Sequence, residues 1–196
     1  MQTRTTAMPE MDWLTGLSSR ASFGRQVTQA DRDGDRFAIA LIEIEDVGRI
    51  NRRLDYAAGD ELLRAVGRAL AFQTSVNTFA ARLGGARFAM LTVRGLDDDD
   101  LGPWLAPIVS AVEDAITGWA REVMDYDGDR VIEPDISVGA AAGDTGRVWS
   151  DAAVALDLAS GAPTGGTVVR YDPNDARVLA DAGRRRLAEN IVTALD

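Results

Sequence analysis

The residues best suited to chemistry lie in a short glycine hairpin and at the end of an apolar strand. Residues 82–91 read R-L-G-G-A-R-F-A-M-L, and two glycines before an apolar strand predict a tight hairpin whose backbone can approach a ligand closely. Upstream, Phe37–Ile44 is almost continuously apolar, which is typical of a buried central strand. That strand ends in two carboxylates, Glu43 and Glu45, and carboxylate oxygens are suitable ligands for a divalent cation.

The composition excludes several other kinds of active site. The 196 residues contain no cysteine and no histidine, so thiolate chemistry, Ser-His-Asp triads and histidine-held metals are excluded. The 31 acidic residues outnumber the 21 basic ones, all arginine, and the net charge is −10. Because nucleic-acid binders usually carry a basic face, we expect no nucleic-acid partner. Without an apolar segment of membrane-spanning length or a signal peptide, we expect a cytoplasmic location, with any membrane anchor outside this chain.

The hydrophobic pattern predicts one domain of alternating helices and strands. Predicted helices start after Ser18 or Ser19 and cover about 47–54, 58–72, 103–123, 148–158 and 175–195, and predicted strands cover 37–44, 79–83, 88–93, 136–142 and 167–171. A hairpin within a βα series indicates an α+β fold of the ferredoxin-like class, a mixed sheet with helices packed on it.

Five motifs in the same order resemble the GGDEF domain of bacterial diguanylate cyclases. They are D-W-L-T-G-L-S-S-R at 12–20, L-I-E-I-E-D-V-G-R-I-N at 41–51, A-G-D-E-L-L at 58–63, R-L-G-G-A-R-F at 82–88 and I-S-V-G at 136–139. The resemblance covers about residues 12–172 and implies a nucleotide-cyclase-like fold. The family joins two GTP molecules into cyclic di-GMP across a dimer of two domains, with two divalent metals held by carboxylates.

The resemblance implies a set of nucleotide-binding positions. Asn51 and Asp60 fall on the family's guanine-reading positions, where an amide and a carboxylate can meet the polar edge of the base. The alternative for both residues is local, an N-cap-like asparagine and a helix-start aspartate. The remaining implied nucleotide positions are Ile44, Glu45, Asp46, Val47, Gly48, Gly84, Gly85 and Arg87, and the implied metal positions are Glu43 and the backbone of Ile44.

The chain departs from the family's pattern where the chemistry is concentrated. Glu43 replaces the first metal-ligand aspartate, and the acidic pair of the signature is replaced by Ala86 and Arg87. Gly48 replaces a phosphate-contacting lysine, and a later lysine and arginine are missing near 158–163. Residues 75–78 lack the R-x-x-D of the family's product-inhibition site. Arg87 has two readings, a contact to a bound phosphate in place of a metal or a solvent-exposed hairpin arginine.

These departures predict a catalytically inactive GGDEF domain that acts as a regulatory, GTP-binding module in cyclic di-GMP signalling. No cofactor is expected, and Mg²⁺ enters only if GTP binding depends on a metal. Two alternatives remain open: a slow residual cyclase that uses Glu43 and Glu45, and a nucleotide-free interaction or dimerisation module.

The ends of the chain predict its place in a longer signalling protein. Residues 1–11 are expected to be a flexible segment, and residues 12–172 the degenerate GGDEF domain. Residues 173–196, with Arg184, Arg185 and Arg186, resemble the helix that joins GGDEF domains to an EAL phosphodiesterase domain. An EAL neighbour and a homodimer are therefore expected partners, and the alternative for this segment is a C-terminal docking helix.

Overall fold

A six-stranded mixed sheet forms the centre of the computed structural model, which describes residues 10–93, 96, 100–127, 134–144, 146–162 and 166–175. The elements are β1 (Ser18–Ser19), α1 (Arg20–Asp33), β2 (Phe37–Ile44), α2 (Val47–Arg53), α3 (Tyr56–Phe72), β3 (Thr78–Gly84), β4 (Arg87–Val93), α4 (Leu101–Asp127), β5 (Ile136–Gly143), α5 (Val148–Ser160) and β6 (Val168–Arg170). The strand order is β1-β3-β4-β2-β5-β6. The outer pairs β1–β3 and β5–β6 are parallel and the inner pairs are antiparallel. The predicted mixed α+β fold is confirmed, and β1 is an addition to it.

The central strand β2 separates two hydrophobic cores because successive side chains point to opposite faces. One core lies under α1 and α5, the other under α2, α3 and α4. From β2, Phe37, Ile39 and Leu41 enter the α1–α5 core, and Ala38, Ala40, Ile42 and Ile44 enter the other. Glu43 alone in β2 is only partly buried, and its odd-numbered register places it on the α1–α5 face.

Tight packing fixes α5 against the sheet. A Cβ at Gly139 of β5 would overlap the backbone nitrogen of Leu156 and lie 2.5 Å from the carbonyl oxygen of Ala152. Only glycine permits this approach of helix to strand. The distance between α5 and β5 is therefore set by backbone contact.

Capping residues decide where the helices begin. Ser19 caps α1 by accepting a hydrogen bond from the Ser22 backbone N–H, which confirms the predicted start. Helix α3 begins at Tyr56, two residues before the predicted start, because the Asp55 side chain accepts from the Ala58 N–H at 2.8 Å. Helix α4 ends at Asp127, four residues after the predicted end. None of the helices in the described part of the chain combines the length and the hydropathy needed to cross a bilayer.

The described N-terminal residues are already paired with the domain. The Ser19 N–H donates to the Glu10 carbonyl at 2.7 Å, and Met11 forms a bridge with Ser18. The predicted flexible residues 1–9 and most of the predicted C-terminal helix, 176–196, lie outside the described residues.

A charged network ties this N-terminal turn to the glycine hairpin. The Asp12 carboxylate accepts from the backbone N–H and hydroxyl of Thr15, at 2.9 and 2.8 Å. The same carboxylate accepts from Nη1 of Arg82 at 3.3 Å. Arg82 in turn donates to the Gly85 carbonyl from Nε and Nη2, at 3.1 and 2.7 Å. One arginine thus holds the hairpin tip against a turn 70 residues away in sequence.

The network stabilises the charged form of Asp12. Partial burial opposes ionisation, but hydrogen bonds from Thr15 and the charge and hydrogen bond of Arg82 outweigh it, so the pKa of Asp12 is lowered. A carboxyl with a lowered pKa in the folded state stabilises the fold above its unfolded pKa. That contribution is lost as the pH falls through the folded pKa.

We therefore expect Asp12→Asn to destabilise the domain near pH 7 by about 1.5–3 kcal/mol, the usual net value of hydrogen bonds to a charged group. The difference from the wild type should shrink as the pH falls below about 4, because the unfolded chain binds a proton at Asp12 first and the folded protein, in which the pKa of Asp12 is lowered, does so at lower pH. Urea unfolding between pH 7 and pH 3 measures this, with Asp114→Asn on α4 as the exposed control. A difference that stays constant to pH 3 would contradict the account.

Candidate functional site

The glycine hairpin has the tight backbone that its sequence predicts. Gly84 and Gly85 have φ values of +121° and +56°, a region in which residues with a Cβ are strained. Space around both glycines is open, because a Cβ at either would meet nothing within 4 Å. The two hydrogen bonds from Arg82 to the Gly85 carbonyl hold this exposed backbone in place.

The dominant feature of the site is an ion pair between Arg87 and Glu43. The two residues are register partners in the antiparallel pair β2–β4, and Nε of Arg87 lies 3.0 Å from Oε1 of Glu43. The carboxylate is the better-shielded partner, with 22% of its side chain exposed against 56% for the arginine. Arg87 therefore binds a neighbouring side chain while its guanidinium still faces solvent. The predicted phosphate contact of Arg87 stays a prediction.

The surroundings of Arg87 are acidic and reinforce its charge. The hydrogen bond from Arg87 to Glu43 and the charge of Glu43 raise the pKa of the guanidinium, and the charges of Asp157 and Glu45 add to the effect against partial desolvation. Arg87 is consequently a permanent cation at the hairpin base. It competes with any divalent ion for the Glu43 carboxylate.

The donor set implied for a metal does not fit Mg²⁺ in this chain. Ala86 has no side-chain oxygen, and it packs against the core on the opposite sheet face from Glu43. Its carbonyl accepts the Ile44 N–H at 3.0 Å. Among the described residues no group of three or more Asp, Glu, His or Cys side chains could hold a metal ion. One carboxylate already paired with arginine and one strand carbonyl do not supply the near-octahedral oxygen set that Mg²⁺ requires.

The loop between β2 and α2 adds negative charge at the same end of the sheet. Oε1 of Glu45 is buried without a hydrogen-bond partner in the described structure. Asp46 adopts a left-handed conformation with φ +58° and is paired with Arg49 at 3.5 Å. Val47 and Gly48 then begin α2, and Gly48 brings no cation. The implied nucleotide positions in this loop thus carry two acidic side chains, Glu45 and Asp46, and no basic one.

The two positions predicted to read guanine are brought together on the helices that cover the sheet face opposite Glu43. Asn51 lies in the last turn of α2 and Asp60 is the fifth residue of α3. A Cβ at Gly59 would overlap Oδ1 of Asn51, so the amide rests directly on the backbone beside Asp60. The N-cap alternative is wrong for Asn51, because Asp46 and Asp55 occupy the N-cap positions of these helices. The helix-start alternative is wrong for Asp60, because α3 begins at Tyr56 and has no acidic residue in its first turn.

Polar atoms of both residues have no partner within the described part of the chain. Oδ1 of Asn51 is buried and unpaired, and Asp60 makes no hydrogen bond or ion pair with another described residue. Unpaired buried polar atoms cost free energy and are rare outside functional sites. The Asn51 amide and the Asp60 carboxylate can meet the acceptors and the N–H donors of a guanine edge.

Three contributions to the site were not predicted from the sequence. They are the hydrogen bonds of Arg82 to Asp12 and Gly85, the need for a glycine at position 59 against the Asn51 amide, and Ser137, the register partner of Glu43 on β5. Ser137 is 1% exposed and its Oγ has no partner in the part of the chain that the structure describes. Of the three, only the glycine at position 59, immediately before Asp60, could have been singled out from the sequence. The other contacts join residues too distant in sequence to be paired by spacing.

Comparisons with known proteins agree with this geometry. The family model described as "Diguanylate cyclase, GGDEF domain" matches residues 10–124. The diguanylate cyclase TpbB of Pseudomonas aeruginosa is 36% identical over 84 residues, which are 41% of this chain and 19% of TpbB, so this chain spans less than a fifth of that relative.

Solved structures show the same fold. The isolated GGDEF domain of TpbB superposes with a TM-score of 0.68 at 27% identity, covering 87% of this chain and 99% of that one. The coiled coil and GGDEF domain of DgcB from Caulobacter crescentus, solved in complex with cyclic di-GMP, gives a TM-score of 0.63 at 23% identity, covering 82% of this chain and 84% of that one.

The family match spans more than half of the chain, and the hairpin, the strand order and the order of the motifs agree with it. The chain therefore belongs to the GGDEF family of diguanylate cyclase domains.

Proposed function

We propose that this GGDEF domain is catalytically inactive and regulates cyclic di-GMP signalling by binding a guanine nucleotide through its base. The observation that carries the proposal is the 3.0 Å ion pair between Arg87 and Glu43. It occupies the carboxylate that the resemblance assigns to a metal. The base-reading end, built from Asn51, Gly59 and Asp60, keeps its polar groups available.

The argument against catalysis is electrostatic. Joining two nucleotides at phosphorus requires cations to neutralise the charge that develops on the phosphate oxygens. Here Ala86 supplies no ligand, Glu43 is bound to a guanidinium, and Gly48 supplies no cation. Loss of one electrostatic contact to a transition state costs on the order of 3 kcal/mol. Such losses do not add simply, but several together abolish useful turnover.

The argument for base recognition is complementarity. A carboxylate can accept from both guanine N–H groups, N1–H and the exocyclic amine, whereas adenine offers no such donor pair. The Asn51 amide supplies the neighbouring donor and is held in place by Gly59. Because neither contact involves a metal or the phosphates, we propose binding that does not need Mg²⁺.

Regulation would act on neighbouring domains. A ligand shifts a conformational equilibrium only through different affinities for its two states. We propose that residues 173–196 link the domain to an EAL phosphodiesterase domain and transmit that difference. We also propose that the domain forms a homodimer, because the GGDEF family acts as a dimer of two domains. A residual cyclase and a nucleotide-free interaction module are the outcomes that the following two experiments separate from this proposal.

Purified protein incubated with GTP and Mg²⁺ or Mn²⁺ is expected to form no cyclic di-GMP, because the metal-binding carboxylates are replaced or paired. Chromatography of the reaction mixture measures the product, with the GGDEF domain of TpbB assayed in parallel. Product whose rate of formation rises in proportion to protein concentration would overturn the proposal in favour of a residual cyclase.

Calorimetry is expected to show that GMP binds and AMP does not, since Asp60 reads guanine donors. Asp60→Asn should weaken GMP binding by about 1–3 kcal/mol, the usual value of a paired base contact. Glu61→Gln is the matched control, because Glu61 is an exposed neighbour on α3 that pairs with Arg64 instead. No binding of either nucleotide would favour the interaction module, and equal binding of GMP and AMP would contradict recognition of the base by Asp60.

A further inference from the structure

A cavity on the α1–α5 face of the sheet is separate from the base-reading end. It has a volume of about 460 Å³ and lies beside the glycine hairpin, a size within the usual range for small-molecule sites. The helices that carry Asn51 and Asp60 pack on the other face of the sheet. A molecule in this space, the α1–α5 cavity, would not touch the base-reading residues.

The body of the α1–α5 cavity is apolar and has an aromatic wall. Leu41, Leu83 and Leu156 line it together with Trp149. The ring of Trp149 packs against Phe23, with ring centroids 5.8 Å apart and an interplanar angle of 57°. Phe23 is fully buried, so the indole is supported from behind and can offer a face to a flat ligand.

The rim of the α1–α5 cavity carries two guanidinium groups. Arg20, the first residue of α1, is exposed and forms no ion pair with another described residue. Arg87 reaches the rim from β4, engages Glu43 through Nε and remains 56% exposed. A guanidinium has further N–H donors after one contact and pairs well with oxyanions. Asp157 is the acidic residue on the same rim.

We infer that the α1–α5 cavity binds a small organic anion with a flat aromatic body. Arg20 and Arg87 hold the phosphate or carboxylate group, and the ring lies against Trp149. Asp157 opposes the anion by its charge, so the apolar contacts are needed for binding and a bare inorganic anion is disfavoured. The arginine that pairs with Glu43 thereby also contacts the bound anion. This inference is independent of guanine binding at Asn51 and Asp60.

Phenyl phosphate is the probe, and the indole N–H signal of Trp149 in a proton–nitrogen NMR spectrum is the readout, assigned by its loss in Trp149→Phe. We expect a saturable shift of this signal with phenyl phosphate. Ethyl phosphate, which lacks the ring, and benzyl alcohol, which lacks the charge, should bind at least about tenfold more weakly, since each lacks one of the two interactions. Benzoate in a parallel titration tells whether a carboxylate serves as well as a phosphate.

Charge variants at the rim should change affinity in opposite directions. Arg20→Gln and Arg87→Gln are each expected to raise the Kd for phenyl phosphate about two- to fivefold, the range for loss of one solvent-exposed ion pair, and Asp157→Asn is expected to lower it. Arg68→Gln, an equal charge change at an exposed position on α3, should leave the Kd unchanged. Because Arg87 also pairs with Glu43, Arg20→Gln is the decisive variant.

Three results would overturn the inference. The first is a shift of the Trp149 signal that does not saturate with phenyl phosphate. The second is an equal rise in the Kd from Arg20→Gln and Arg68→Gln, which would indicate an effect of general surface charge. The third is displacement of phenyl phosphate by guanosine, which would place the probe at the base-reading end. The first two results leave GMP binding at that end undecided and the third would support it, so the inference and the proposed function fail separately.

Discussion

The Arg87–Glu43 ion pair is the interaction on which the character of this site depends. The two residues face each other across the register of β2 and β4, so the pairing is enforced by the central sheet. Because their strand neighbours Leu41 and Ala89 are buried in the α1–α5 core, a register slip that separated the pair would expose apolar side chains. The register of β2 and β4 therefore keeps Arg87 beside Glu43 as long as the sheet is folded.

This constraint divides the domain into two ends with different chemistry. The hairpin end has a permanent cation, Arg87, and two acidic residues, Glu45 and Asp46, in the loop between β2 and α2. Among the described residues it has no cluster of side chains that could hold a metal ion. The proposed base-reading end depends on contact between the Asn51 amide and the backbone of Gly59, and binding there as we propose it would need neither a metal nor the hairpin charge. The loss of catalysis that we propose at one end therefore need not remove the recognition that we propose at the other. A signalling domain can use the second without the first, provided that binding favours one conformational state.

The sequence predicted most of the fold because its signals are local. The continuous apolar run predicted β2 with the bounds that the structure has, and paired glycines predicted the β3–β4 hairpin. Boundaries moved where a cap or a helical extension was overlooked, as at Asp55 and Asp127. The two-residue strand β1 has no sequence signal of its own, since its pairing with β3 is set by the tertiary fold.

The site was predictable in its residues but not in its contacts. The motifs singled out Glu43, Ala86 and Arg87, but only the register of two strands distant in sequence brings the first and last together. The hold of Arg82 on Asp12 is likewise a contact between residues 70 positions apart. Side chains that pair across such separations can be identified only once strand order and register are known, because many pairings satisfy the same local pattern.

The most direct test of the central claim is the effect of Mg²⁺ on GTP affinity, measured by calorimetry with the metal and with a chelator. If Arg87 has taken the place of the metal beside Glu43, the two Kd values should agree within about twofold, a difference of roughly 0.4 kcal/mol. An affinity that rises tenfold or more with Mg²⁺, about 1.4 kcal/mol, would show that the metal binds with the nucleotide despite the ion pair, and would contradict the account.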